Sequence, residues 1–101
     1  PWLDTGSYDI PRMLEQPIEI INKLGLHARA AAKLVSTASR FGSRVEIQFA
    51  GQTADAKSIM AVMMLAASKG SQITIRTDGD DEQAAMDAVT GLINNYFDEE
   101  E

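Results

Sequence analysis

The sequence predicts an α+β domain in which a four-stranded antiparallel sheet carries three helices on one face, in the order β-α-β-β-α-β-α. Three observations lead there. "RVEIQF" (residues 44–49) and "QITIRT" (72–77) alternate apolar and polar residues, so each buries one row of side chains and solvates the other. Three further segments repeat apolar residues at helical spacing. Sheets with one buried face are usually antiparallel and take their helices on the apolar side. With 101 residues, 45% hydrophobic and 24% charged, the chain suits one domain with one modest core.

Residues 1–12 have no period and are broken by Pro, Gly, Asp and Ser; they are expected to be an added leader, with Met13 the natural start and residues 13–101 the single domain. "PIEIIN" (17–22) is a short β-branched run and predicts the first strand. "ARAAAKLVSTAS" (28–39) places Ala31, Leu34, Val35 and Ala38 on one helical face. In the second strand Val45, Ile47 and Phe49 point one way and Glu46 and Gln48 the other; Ala50 and Gly51 turn the chain so that "QTADA" (52–56) pairs back as a short third strand. "SIMAVMMLAAS" (58–68) predicts a helix capped by Ser58 and stopped before Gly70, with Ile59, Val62, Met63 and Ala66 as its core face. Of its remaining methionines, Met60 is expected outward and Met64 in a core gap. The fourth strand turns Ile73 and Ile75 inward. Asp80 and Gln83 have capping-box spacing ahead of a last helix that carries Ala85, Val89, Leu92 and Tyr96 on one stripe.

Charge and composition exclude several functions. A net charge of −6, with nine basic residues scattered among fifteen acids, gives no basic patch for nucleic acid. The acidic end "DEEE" (98–101) is expected to be a solvated, frayed terminus. No apolar run approaches the roughly 18 residues that span a bilayer, so no membrane insertion is expected. Without cysteine there is no disulfide framework or thiolate site, which fits a cytoplasmic protein. A single histidine with no cysteine leaves no metal-ligand set, and no cofactor is expected.

That histidine, His27, lies in "NKLGLHARAAAKLV" (22–35), at the mouth of the first helix. Gly25 lets the backbone turn from strand to helix. The first amides of a helix lack internal partners and sit at the positive end of its dipole, and Arg29 adds a planar fork for phosphate oxygens. The same positive potential disfavours imidazolium, so a neutral, nucleophilic ring is expected near pH 7. Once phosphorylated, the ring carries its charge into a region arranged to hold anions. Taken alone, these features describe a capping histidine as well as a phosphate site.

Two motifs separate those readings. "LGLHAR" and, thirty residues on, "DAKSIMAVMMLAASKG" resemble the HPr family of phosphocarriers, and the likeness runs from about residue 13 to residue 97. The resemblance implies an open-faced β-sandwich with sheet order 1-4-2-3. It implies that His27 accepts a phosphoryl group on Nδ1 from phosphorylated enzyme I and passes it to an enzyme IIA domain, with Arg29 assisting. Ser58, an N-cap by local physics, matches the serine phosphorylated by HPr kinase/phosphorylase in many members. Ile59, Met60 and Met63 match the docking surface for enzyme I and enzyme IIA, a use that suits adaptable methionine. The chain departs from the commonest motif at Ala30, where the family has proline; both residues suit a first helical turn. Two alternatives stand beside this reading: an NPr-type carrier of the nitrogen-related phosphotransferase system, and a non-catalytic metabolite-binding module. The sheet face bearing Glu46, Gln48 and Arg76 offers the latter no apolar pocket.

Overall fold

The computed structural model describes residues 13–101; the expected leader, residues 1–12, lies outside the described residues. The elements are β1 (Met13–Glu19), α1 (Ala28–Ala38), β2 (Arg44–Phe49), β3 (Gln52–Asp55), α2 (Ile59–Met64), β4 (Gln72–Asp78) and α3 (Glu82–Asn94), followed by a 3-10 turn at Tyr96–Asp98. The four strands form one antiparallel sheet of order β1-β4-β2-β3, the expected open-faced arrangement with three helices on one side.

Register explains the one-sided core. Ile18 stands opposite Ile73, Ile75 opposite Ile47, and Thr77 opposite Val45, so the inward rows of β1, β4 and β2 meet across the sheet. Leu34 of α1, Val62 of α2 and Val89 and Ile93 of α3 close over them, all fully buried. On the open face Glu15, Arg76 and Glu46 occupy facing positions on three adjacent strands. The Arg76 guanidinium lies 2.6 Å from Glu15 Oε2 and 3.6 Å from Glu46 Oε1. Such exposed pairs contribute little stability, but they keep this face polar. Among the described residues no helix is long and apolar enough to cross a membrane.

Four boundaries differ from the sequence reading. β1 starts at Met13 and ends at Glu19, because its ladder with β4 runs from Met13↔Asp78 to Glu19↔Gln72; as an edge strand with only Ile18 buried, it carries little pattern to read. α2 is one turn and a half, not three turns. Ala66 adopts a left-handed φ of 55°, which turns Leu65 and Ala67 into the core and leaves Ala66 outside. The α2 core face is therefore Val62 with Leu65, while Ile59 and Met63 face solvent and Met64, expected in a core gap, is 74% exposed. In α3 the buried stripe is Ala85, Met86, Val89, Thr90 and Ile93; Leu92 is only half-buried. Thr90 is buried at no loss because its hydroxyl donates to Met86 O at 2.7 Å. Tyr96 lies beyond the helix and is exposed, and Phe97 takes the core position instead.

The Asp80–Gln83 capping box does not form. Asp81 is the N-cap, and its carboxylate reaches across to accept from the amides of Gly42 and Ser43 and from the Ser43 hydroxyl. Those bonds, the Ser43 hydroxyl foremost and then Gly42, hold the Asp81 carboxyl below its ordinary value. Glu82 covers the turn by accepting from Gly79 N, and Gln83 instead bonds Asp87 one turn on.

Candidate functional site

The loop between β1 and α1 is built around Gly25. Its φ of +66° suits glycine, and a Cβ there would sit 2.6 Å from Ala67 O. The close approach lets Leu26 N bond Ala67 O at 2.9 Å, which seats the loop on the chain leaving α2. Asn22, fully buried, donates from Nδ2 to Gly25 O at 2.9 Å and closes the turn from the other side. The chain then enters α1 with His27 as N-cap, in extended backbone conformation, its carbonyl accepting the first helical bond from Ala31 N.

The His27 side chain makes no capping bond, and among the described residues no other side chain caps the first turn of α1, which leaves its amides unmatched beside the imidazole. Ala30, where the commoner family motif has proline, is fully buried, as is Ala31; they anchor the turn while Ala28 and Arg29 face solvent. His27 is 26% exposed at the side chain. It shares an open cavity of about 570 Å³ with Arg29, Lys23 and Glu99 to Glu101. The structure thus brings His27 and Arg29 to one cavity at a helix N-terminus.

The acidic end is solvated at Glu100 and Glu101, as expected from the sequence, but Asp98 and Glu99 are held against the fold. Tyr96, Phe97 and Asp98 have φ of 59°, 53° and 63°, which curl the chain so that Phe97 is fully buried. Lys33 of α1 donates to Phe97 O at 3.0 Å, and its ammonium lies 4.0 Å from Asp98. Glu99 then lands against the site. Its Oε2 is 2.7 Å from His27 Nε2, and its Oε1 is 3.4 Å from Asn22 Nδ2. Sequence reasoning weighed the helix end and Arg29 and missed this opposing carboxylate. Three like glutamates with no period gave no means of singling out Glu99, whereas Asn22, an Asx residue ahead of a glycine, was a readable turn signal.

The second motif lies at the other end of the same loop contact. Ser58 is the N-cap of α2, and its Oγ accepts from Ala61 N at 3.3 Å. Beyond it Ile59, Met60 and Met63 are exposed to 42%, 68% and 37%. Because the chain leaving α2 supports the His27 loop, the methionine surface and the imidazole belong to one continuous packing unit.

Comparison with known proteins agrees with this construction. The family model described as "PTS HPr component phosphorylation site" matches residues 14–95. The phosphocarrier protein HPr of Cupriavidus necator is 58% identical over 89 residues, covering 88% of this chain and all of that one. The phosphocarrier protein NPr of Shewanella violacea is 43% identical over 86 residues, covering 85% of this chain and 94% of that one. The crystal structure of HPr from Thermoanaerobacter tengcongensis superposes with a TM-score of 0.84 at 44% identity, covering 87% of this chain and 99% of that one. A fold, a histidine at a helix mouth and two spaced motifs thus converge with the family match, and the chain belongs to the HPr family of phosphocarriers, which relay a phosphoryl group between enzymes of the phosphotransferase system.

Proposed function

We propose that His27 is the residue that bears the phosphoryl group, taking it on Nδ1 from phosphorylated enzyme I and passing it to enzyme IIA domains in the cytoplasm. The observation that carries this reading is the part-exposed imidazole standing beside uncapped helix amides, with Arg29 lining the same cavity. The amides and the guanidinium stabilise charge on the transferring phosphoryl oxygens, so positioning and electrostatics do most of the work. The exposed side chains of Ile59, Met60 and Met63 form the surface on which both partners dock. Ser58 is a regulatory site for HPr kinase/phosphorylase; a phosphate at a helix N-terminus is tolerated without refolding, and its charge acts on the docking partners. The higher identity to an HPr than to an NPr supports the sugar branch of the system over the nitrogen-related one.

The test is incubation with enzyme I and phosphoenolpyruvate, followed by mass spectrometry. The expected result is an acid-labile mass gain that vanishes in His27→Ala. A variant that still takes the label would show that another residue is the carrier, and an unlabelled wild type would return the chain to the binding-module reading.

A further inference from the structure

We propose that Glu99 is a positioning residue for His27: its carboxylate holds the Nε2 hydrogen and so fixes Nδ1 as the nucleophilic nitrogen. This rests on the reading of His27 as the phosphoryl carrier and names a residue outside both motifs. A carboxylate only accepts, so the 2.7 Å contact between Glu99 Oε2 and His27 Nε2 requires the proton on Nε2. A neutral imidazole then has its lone pair on Nδ1, which makes no hydrogen bond among the described residues. The length is that of a hydrogen bond to an ionised acceptor.

Glu99 is held in place by more than this bond. The buried Phe97 ring, the three successive left-handed residues Tyr96 to Asp98 and the Lys33 bond to Phe97 O fix the chain, and Glu99 N itself donates to Tyr96 O at 2.9 Å. Asn22 contributes from the opposite side. Its Nδ2 faces both Gly25 O and Glu99 Oε1.

The bond also serves the chemistry in both directions. In uptake, the Nδ1 lone pair forms the bond to phosphorus while the donor's bond to phosphorus breaks and its electron pair returns to the donor. The Nε2 proton stays on the ring, which becomes a phosphorylated imidazolium with its positive charge against Glu99. In delivery, the N–P electron pair returns to Nδ1 and the neutral ring reappears in the same tautomer.

The experiment pairs transfer kinetics from phosphorylated enzyme I with ¹⁵N NMR of the His27 ring in the full chain. The wild type is expected to show an Nε2 hydrogen protected from solvent exchange and an unprotonated Nδ1. Glu99→Ala is expected to lose that protection and to slow transfer about tenfold in kcat with KM unchanged, the scale of one hydrogen bond to a charged group. Glu99→Gln, whose carbonyl still accepts, restores the protected hydrogen. Asp80→Asn, which removes the same charge at an exposed position outside that cavity, behaves as wild type. Wild-type protection and rate in Glu99→Ala would overturn the proposal alone; a wild type that takes no phosphoryl group on His27 would overturn the reading beneath it as well.

Discussion

Gly25 decides whether the imidazole is presented at all. Any side chain there adopts a strained positive φ and meets the backbone of Ala67 and Ser68 at under 3 Å. Gly25→Ala is expected to lower stability by about 1–3 kcal/mol, measured by urea unfolding, and to shift the His27 loop off the α2 exit. Reduced uptake that persists at temperatures where the variant is fully folded would separate misplacement from instability. Arg29 has a different role. It is exposed and the fold does not lean on it, so Arg29→Gln is expected to slow transfer without moving the unfolding midpoint. A lower midpoint would show that the guanidinium holds structure instead.

At the level of elements, short helices depend on their caps. Ser58→Ala removes the acceptor for Ala61 N and is expected to cost about 1 kcal/mol. Ser58→Asp keeps an acceptor and adds charge next to the methionine surface; it is expected to retain stability while weakening complexes with enzyme I, checked by calorimetry. Asp81 gives a pH-dependent counterpart. Its carboxyl lies below the ordinary value of 3.8 in the folded chain, so its contribution is present above the unfolded value and is lost as pH falls through the folded one. Asp81→Asn is therefore expected to flatten the acid limb of the stability curve and leave the neutral region's slope unchanged, measured by denaturation across pH. The same elements show what sequence makes legible. β2 and β4 were readable residue by residue because each alternates inward, mainly apolar side chains with outward polar ones, only Phe49 at the end of β2 being less than buried among the inward set. β1 was half-seen, since an edge strand with a single buried side chain has no alternation to find. The end of α2 was hidden because Ala66 turns left-handed to serve a tertiary contact, the Ala67 carbonyl beneath Leu26, rather than from any local propensity.

For the whole molecule, the core is thin and continuous, so its central pairs matter most. Ile47→Ala, opposite Ile75 in the sheet, is expected to destabilise by about 2–5 kcal/mol by thermal unfolding, with His27 still labelled in the fraction that folds. The site was legible from sequence at its two motifs and not at its third wall. Glu99 reaches the ring through a curl at the far end of the chain, 72 residues away, and nothing local to either residue announces it. The borders of the sheet carry a separate consequence. β3 is four residues long, and on the other border β1 holds Pro17, exposed and without an amide hydrogen, within its span. Neither rim offers a long run of free donors and acceptors, so a second chain has little to zip onto, and lateral growth into filaments is blocked from both sides. A protein that must meet one partner after another thereby stays available to each of them.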